Sequence, residues 1–509
     1  MKRNSLYRIV SSPLYISVFL FSILGYIALW PYLGYDESLW TYVGRLWVRN
    51  GIPPYTGTVE NKTPGIFYIY ALSDFLFKDS IFFIRILGVF AVIITSNVLF
   101  LITKKLHSRL AGVFGMYIFG LSMGWTLLDG FAFSQAETYM ILFSTVAFYF
   151  ILIAKNHIRS NVFVFIAGAS MGLAIAFKQI ALTTLVAFVI VFLIYTVKAY
   201  EFRNKFIGFA LFGFGVFVST LLSYFILYLN DVSLYEYIEG AWLILFNSGS
   251  KVQNLNEHIN NFIKVFLSSR IIYFYPLVIL FFLQKRYLNH NIFYALLIWL
   301  CFDFIGVNAS GYYYGHQIKQ LLPVITIISS ISLCNVLNEN KFKTHSINFI
   351  IAIIILFFPY EQIIRGTNLL LKHSSSTYQE LGYWIKEQTE PSDYIFIVGN
   401  DYNLVASLSL SNRVSSSKYF HGIFVVGEKE QTIVCSDLIA KPPIFILKEE
   451  SDTIWKKKYG KAITNLLNYN YNSVKTVNGI VIFKRNTENL KLKEGKKSVL
   501  DNSKEPSIN

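Results

Sequence analysis

The stretch IFFIRILGVFAVIITSNVLFLITKK, residues 81–105, sets the fold class of this chain, because its apolar part is long enough to cross a membrane. An apolar helix of about 20 residues spans the hydrocarbon core of a bilayer. Similar runs predict eleven spans in all, with centres near residues 22, 93, 118, 146, 170, 188, 217, 278, 299, 328 and 353. The predicted fold is therefore a polytopic α-helical membrane protein whose membrane part occupies residues 1–360.

The composition excludes most other classes of protein. Of 509 residues, 54% are hydrophobic and 15% are charged, and the mean hydropathy is +0.47, whereas soluble domains carry roughly a quarter charged residues. The net charge of +15 does not indicate nucleic-acid binding, because the basic residues lie between apolar runs and form no continuous patch. The three cysteines predict neither a disulfide framework nor a zinc site.

Charge in the loops predicts the orientation of the chain. One alternate set of loops holds fifteen basic residues, opposed only by Glu201 and Glu339. These bases are Lys2, Arg3, Arg8, Lys104, Lys105, Arg109, Lys155, Arg159, Lys198, Arg203, Lys205, Lys285, Arg286, Lys341 and Lys343. By the positive-inside rule the N-terminus is cytoplasmic and residues after about 361 are external or periplasmic. The membrane is predicted to be the plasma (inner) membrane. This orientation requires that the fifth and sixth spans, which meet at Lys178 and Gln179, be separate.

The C-terminal part changes in character after residue 361. In residues 361–486, alternating polar and apolar segments predict a small external α/β domain. Its predicted helix lies at 374–389, and its predicted strands lie at 394–398, 443–447 and 479–483. Residues 487–509 are polar and are expected to be a disordered tail. We find no phosphate-binding glycine pattern in this part and expect a structural or acceptor-facing role.

The first external loop, residues 34–79, carries two adjacent acids, Asp36 and Glu37, where the first span leaves the lipid. After them, apolar residues recur at helical spacing (Leu39, Trp40, Val43, Leu46, Trp47), with Arg45 and Arg49 on another face. This pattern predicts an interfacial helix on the membrane surface. Asp36 could be a catalytic carboxylate at the boundary between lipid and water, or it could simply cap the helix.

Three further charged residues fall on the same predicted side. Lys62 follows the first external helix and could bind a phosphate, or pair with lipid headgroups. Glu137 stands at the mouth of the fourth span, where an acid needs a partner or a function. Lys178 lies between two apolar runs and could receive the phosphate of a lipid substrate, or be an ordinary snorkelling lysine.

The segment SGYYYGHQIKQLLP, residues 310–323, adds aromatic and cationic groups. His316 and Lys319 are three residues apart, so they share a helical face and could bind an anionic group. Tyr313 and Tyr314 suit contacts with a sugar, although an aromatic belt with anchoring charges is an alternative. No ligand pair at zinc spacing occurs, so we expect no metal site. The alternative is that the scattered acids bind a hard divalent cation.

With these residues in view, the chain resembles the GT-C superfamily of integral-membrane glycosyltransferases, in particular the bacterial relatives of protein O-mannosyltransferases and of the lipid A aminoarabinose transferase. The resemblance rests on Tyr35-Asp36-Glu37, Lys62-Thr63-Pro64, Glu137, Phe177-Lys178-Gln179 and the stretch from Tyr314 to Pro323. The chain departs from the usual pattern at Thr63, where a second proline is common, and at Glu137, where an Asp is common.

The resemblance implies transfer of a sugar from a polyprenyl-phosphate carrier to an external acceptor, with inversion at the anomeric carbon. It implies Asp36 as general base, with Glu37 and Glu137 as further catalytic candidates. Lys62, Lys178, His316 and Lys319 are then candidates for binding the donor phosphate, and Tyr35, Tyr313 and Tyr314 for contacting the sugar or acceptor. No cofactor is implied. The implied partners are the lipid-linked donor, membrane lipids and a glycolipid, polysaccharide or protein acceptor.

Two other functions are compatible with a polytopic membrane chain. A transporter or flippase of lipid-linked sugars should show matching halves and polar groups near the midplane of the bilayer. The predicted charges instead cluster on one side, and the two halves of the sequence do not match. A non-catalytic assembly subunit, in which the acids only cap helices, is the third interpretation.

Overall fold

The architecture was analysed in a computed structural model of the chain. It describes residues 11–29, 33–78, 81–124, 133–154, 160–196, 202–245, 255–268, 270–285, 289–309, 311, 313–339, 353–354, 360–371, 377–398, 404–425, 427–450 and 455–486. Contacts divide the chain into two compact units. Unit 1 comprises Met1–Glu37 and Asn61–Ser374, and unit 2 comprises Ser38–Glu60 and Ser375–Asn509.

Unit 1 is built from helices, most of them strongly apolar. They are α1 (Pro13–Ala28), the first turn of α2 (Tyr35–Asn50), α3 (Gly65–Phe77), α4 (Ile81–Leu106), α5 (Arg109–Ser122), α6 (Ala136–Ala154), α7 (Ser160–Phe177), α8 (Ala181–Thr196), α9 (Phe202–Tyr228), α10 (Leu234–Ile238), α11 (Leu255–Ser268), α12 (Tyr275–Leu283), α13 (His290–Asn308), α14 (Leu322–Glu339) and α15 (Tyr360–Leu371). A π-helix covers Glu239–Leu243, and 3₁₀-helices cover Arg270–Phe274 and Gly315–Leu321.

Apolar helices lie where the sequence predicts spans. Ten of the eleven predicted span centres fall in described apolar helices. Most of the eleventh predicted span, which is centred near residue 353, lies outside the described residues. Six described helices are long and apolar enough to cross a membrane, and α11 with α12 forms a further candidate pair bent by 58°. Shorter apolar helices include α1, α5 and α8. The polytopic helical class is confirmed, and the count of eleven remains a prediction.

The fifth and sixth predicted spans are separate helices. α7 ends at Phe177, and α8 begins at Ala181. Lys178 lies in the non-helical link between them, although its backbone N–H still donates to the carbonyl of Ala174. The orientation argument therefore does not fail at this junction.

Unit 2 contains a five-stranded sheet in the order β2-β1-β3-β5-β4. Its strands are β1 (Tyr394–Val398), β2 (Val414–Ser415), β3 (Phe445–Glu449), β4 (Tyr471–Val477) and β5 (Ile480–Arg485). β1 is parallel to β2 and β3, whereas β5 is antiparallel to β3 and β4. The helices of this unit are α16 (Thr377–Gln388), α17 (Leu404–Ser411), α18 (Glu428–Ala440) and α19 (Trp455–Asn470), with a 3₁₀-helix at Gly422–Phe424.

The predicted α/β character of this part is confirmed, with differences in detail. The strand predicted at 394–398 is correct, and those predicted at 443–447 and 479–483 lie at Phe445–Glu449 and Ile480–Arg485. β4 was not predicted, because five consecutive residues of this strand are exposed and show no apolar alternation. The apolar core combines residues of the sheet with residues of α18 and α19, and its members include Phe396, Val398, Val434, Leu438, Ile446, Ile463 and Leu467.

The greater part of α2 belongs to unit 2, whereas the sequence places the whole loop 34–79 with the membrane part. The apolar face of α2 is buried in the protein, with Trp40 and Val43 fully inaccessible, so the prediction of a helix lying on the membrane surface is wrong. Arg45 is also buried, and its Nη1 donates to the carbonyl of Ser409 at 2.7 Å. The helical spacing was correct, but the pattern could not distinguish lipid from protein as the apolar neighbour.

Three more contacts join this segment to the sheet domain within unit 2. The Tyr42 hydroxyl accepts a hydrogen bond from the backbone N–H of Ser415 at 2.9 Å, and its ring packs on Phe420 with centroids 4.8 Å apart. The N–H of Val59 donates to the carbonyl of Lys418 at 2.9 Å. Residues 38–60 are therefore a structural part of unit 2.

We expect Tyr42→Phe to destabilise unit 2 by about 1–3 kcal/mol, because the buried N–H of Ser415 loses its partner. Thermal unfolding of the purified protein in detergent measures this loss. Tyr469→Phe, at a tyrosine with 76% exposure, is the control and should leave the unfolding temperature unchanged. Equal temperatures for Tyr42→Phe and wild type would contradict this role of Tyr42.

Candidate active site

Six polar side chains of unit 1 form a connected group, which we call the site cluster: Asp36, Gln135, Glu137, Lys178, His316 and Lys319. They come from five places in the chain. Asp36 is in the first turn of α2, Gln135 precedes α6, and Glu137 is in the first turn of α6. Lys178 lies in the α7–α8 link, and His316 and Lys319 lie on the 3₁₀-helix. The structure therefore brings together residues up to 283 positions apart.

Gln135 connects the carboxylate of Asp36 to a cation. Its Nε2 donates to Oδ2 of Asp36 at 3.2 Å, and its Oε1 accepts from Nζ of Lys319 at 2.8 Å. Lysine is only a donor, so it fixes the direction of the Gln135 amide and turns the NH₂ group toward Asp36. Lys319 is 3% exposed, whereas the Asp36 side chain keeps 17% exposure. Asp36 is thus held in place but remains reachable.

Glu137 and Lys178 form an ion pair at the other side of the cluster. The Glu137 side chain is 2% exposed and that of Lys178 is 13% exposed. A carboxylate in the first turn of a helix is also stabilised by the helix dipole. Pairing compensates the cost of burying Glu137 beside apolar sequence.

His316 lies between the two carboxylates of the cluster. Its Nδ1 is 4.0 Å from Oδ2 of Asp36, and its Nε2 is 3.6 Å from Oε1 of Glu137. The ring of Tyr314 stacks on His316 with centroids 5.7 Å apart and planes inclined by 15°. An imidazolium in this place would present an N–H to each carboxylate.

Lys62 is linked to the Lys178 segment through Asn61. Its Nζ donates to Oδ1 of Asn61 at 2.5 Å, and the carbonyl of Asn61 accepts from Nε2 of Gln179 at 2.8 Å. Close approach of α3 and α7 requires glycine at position 65, because a Cβ there would lie 2.7 Å from the carbonyl oxygen of Ala176. The loop that carries Lys62 is therefore held beside the end of α7.

Glu37 has a different environment from Asp36, although the two are adjacent. Its carboxylate accepts from Arg85 through Nε at 2.8 Å and Nη2 at 2.7 Å, and also from the Ser134 hydroxyl. The N–H of Gly34 donates to it at 2.8 Å, which is the capping bond that a third-position Glu makes at a helix start. Capping of α2, which the sequence allows for Asp36, is thus performed by Glu37.

Burial raises the pKa of the Glu37 carboxyl, but Arg85, Ser134 and the Gly34 N–H lower it by more, so this pKa lies below its ordinary value. Glu37 is therefore an anion throughout the neutral range. Its four donors occupy the carboxylate, which supports a structural role more than the catalytic role that the resemblance allows. The catalytic assignment of Glu37 remains a prediction.

We expect Glu37→Gln to lower stability by about 3–5 kcal/mol, because it leaves the buried Arg85 cation without its anion. Since the folded-state pKa is lowered, the stabilisation is present above the ordinary carboxyl pKa and is lost as pH falls through the folded-state pKa. Thermal unfolding in detergent between neutral and acidic pH measures both effects. The exposed Glu257→Gln is the control, and a pH-independent difference between variant and wild type would contradict the ion-pair explanation.

The three predicted tyrosines occupy different environments. Tyr35 is the first residue of α2 and is partly exposed, beside Asp36. Tyr314 is 43% exposed on the face of His316 and is accessible to a sugar. Tyr313 is only 3% exposed, and its hydroxyl bonds Oδ1 of Asn308 at 2.7 Å and Nε2 of His258 at 3.0 Å. This packing leaves little of the Tyr313 ring for a sugar to contact.

Three residues that position the cluster were missed by sequence reasoning. Gln135 and Gln179 are neutral and gave no signal in a search for charges. Arg85 could have been found from the sequence, because an arginine within an apolar run requires a buried partner. Among the described residues, no group of three or more His, Cys, Asp or Glu side chains could hold a metal ion.

Comparison with known proteins places this geometry in a known fold. Residues 61–224 match the family model for dolichyl-phosphate-mannose-protein mannosyltransferase. The structure also matches that of ArnT from Cupriavidus metallidurans bound to undecaprenyl phosphate, with a TM-score of 0.63, 12% identity, and coverage of 93% of this chain and 97% of ArnT. The chain has the GT-C fold.

The GT-C fold is also seen in a second match, the oligosaccharyltransferase AglB from Archaeoglobus fulgidus in complex with an inhibitory peptide and a dolichol-phosphate. The TM-score is 0.54 at 10% identity, and the match covers 93% of this chain and 74% of AglB. No curated protein sequence matches significantly. The predicted resemblance is therefore confirmed at the level of the fold.

Proposed function

We propose that this GT-C protein is a glycosyltransferase that moves a sugar from a polyprenyl-phosphate carrier to an acceptor outside the cytoplasm, inverting the anomeric carbon. The observation that carries the proposal is the site cluster. In it, Gln135 holds the partly exposed Asp36 carboxylate and also binds Lys319. His316 lies 4.0 Å from Asp36 and 3.6 Å from Glu137, which pairs with Lys178. The family match over residues 61–224 supports the same reaction class. The undecaprenyl phosphate of ArnT and the dolichol-phosphate of AglB support a lipid-phosphate donor.

Asp36 is the proposed general base. As an acceptor hydroxyl attacks the anomeric carbon, its oxygen forms the new glycosidic bond and its proton passes to the Asp36 carboxylate. The bond between the anomeric carbon and the phosphate oxygen breaks on the opposite side, and its electron pair stays on the phosphate. Displacement from one side with departure from the other inverts the configuration.

The leaving phosphate needs positive charge rather than a proton, since it is already ionised. Lys178, Lys319, His316 and Lys62 are the proposed sources of this charge. A lysine has three N–H donors, so Lys178 can keep Glu137 while it binds a phosphate oxygen. In this scheme Glu137 positions Lys178 and His316, and Tyr314 and Tyr35 are proposed to contact the sugar or acceptor.

The charge distribution of the loops supports a plasma (inner) membrane location with a cytoplasmic N-terminus and an external unit 2. The proposed acceptor is a glycolipid, a polysaccharide or a protein. Incubation of the purified protein with a panel of radiolabelled polyprenyl-phosphate sugars and membrane acceptors tests the proposal. Labelled acceptor is expected with at least one donor, and labelled donor that only crosses the bilayer would indicate a flippase instead.

We expect Asp36→Asn to lower turnover by about a hundredfold or more, the usual contribution of a general base. The asparagine keeps the size of the side chain and an oxygen that can accept from Gln135, so donor binding should persist. Asp231→Asn is the matched control, because Asp231 is exposed with φ of 62°, which asparagine tolerates. Turnover retained by Asp36→Asn would remove Asp36 from the mechanism.

We expect Lys178→Ala to raise the KM for the lipid donor by about tenfold or more, the loss of one charged hydrogen bond to phosphate. Lys178→Arg keeps the charge and should recover part of this loss. Initial rates at varied donor concentration, with saturating acceptor, measure the change. A KM that is the same in Lys178→Ala and wild type would contradict a phosphate-binding role.

A further inference from the structure

A buried carboxylate that the proposed mechanism does not use lies in α13. Asp303 is 1% exposed within one of the six helices long enough to span a membrane. An acid in such a helix is expensive and requires a partner or a function. Its side chain is therefore a candidate for a role in the site.

Three donors from three helical segments satisfy Asp303. The Thr184 hydroxyl donates to Oδ1 at 2.6 Å, and Nε2 of Gln320 donates to the same oxygen at 3.1 Å. Nε1 of Trp299 donates to Oδ2 at 2.7 Å. The Trp299 ring packs against both Phe148 and Phe188, with centroids 4.6 and 5.0 Å away.

Two of these donors are close in sequence to cations of the site cluster. Thr184 is in the first turn of α8, which starts just after Lys178. Gln320 is the neighbour of Lys319 on the 3₁₀-helix, and its Nε2 also lies 3.0 Å from Oγ1 of Thr183. Asp303 therefore ties the segment that carries Lys178 to the segment that carries His316 and Lys319.

A glycine on α13 makes this contact possible. Gly306 lies one turn after Asp303 on the same face of the helix. A Cβ at position 306 would lie 2.5 Å from Oγ1 of Thr183 and 2.9 Å from Nε2 of Gln320. The backbone of α13 thus leaves space for the Gln320 amide.

We propose that Asp303 and Gln320 are positioning residues, which hold the His316 and Lys319 segment at the distance from Lys178 that one phosphate group requires. The inference rests on the proposed function, since it assumes that a lipid phosphate binds at the site cluster. Neither residue touches the donor in this proposal. Each acts through the segments that it joins.

The test compares binding of undecaprenyl phosphate with binding of undecaprenol, which lacks the phosphate, to the purified full-length protein in detergent. Gln320→Ala should lower the preference for the phosphate form by about tenfold, because one charged contact is displaced. Gly306→Ala removes no polar group but pushes the Gln320 amide out of place, so it should act in the same direction. Thr184→Ser keeps the hydroxyl and should retain the wild-type preference.

Asn335→Ala is the matched control for the loss of a buried amide. Asn335 lies on α14, where it bonds Nε2 of His107 at 2.7 Å and Oε1 of Gln284 at 3.2 Å. This variant should lower the unfolding temperature without changing the preference for phosphate.

If Gln320→Ala and Gly306→Ala behave like Asn335→Ala, with a lower unfolding temperature but an unchanged preference for the phosphate form, the Asp303 network is merely structural and the inference is overturned. A wild-type protein without any preference for the phosphate form would instead overturn the proposed function, and the inference with it.

Discussion

A buried charged side chain needs a counter-ion or hydrogen-bond donors in place of water, and this constraint governs the polar contacts inside unit 1. Arg85 in α4 is compensated by Glu37, and Glu137 at the start of α6 is compensated by Lys178. The partners are 48 and 41 residues apart in sequence, so electrostatic compensation also brings together segments that are not neighbours in the chain. Asp36 keeps 17% exposure of its side chain, which is the access that the proposed general base needs.

Much of this architecture could be predicted from sequence, because hydrophobic length and charge are local properties. Apolar runs located the helices, and the separation of α7 from α8 followed from the isolated Lys178 and Gln179. Loop charge placed seven candidates on one side: Asp36, Glu37, Lys62, Glu137, Lys178, His316 and Lys319. The structure brings five of them into the site cluster, whereas Glu37 pairs with Arg85 and Lys62 bonds Asn61.

Other features depend on neighbours that sequence does not reveal. The apolar stripe of α2 would be the same against lipid or protein, and only the fold shows that it is buried with Arg45 in contact with Ser409. The amides of Gln135 and Gln320 act through the direction in which they point, which depends on Lys319 and Asp303 across the fold. The exposed strand β4 is specified by its pairing with β5 rather than by its own residues.

Adjacent residues on an α-helix point in directions about 100° apart. In the first turn of α2 this rotation sends one carboxylate toward Arg85 and the preceding one toward Gln135. The order of the two acids, and their direct succession, therefore carry structural information that neither acid has alone. A sequence with the two acids in reverse order, or with one residue inserted between them, would misdirect at least one of the two groups, so the dipeptide should be treated as one unit when chains of this fold are aligned.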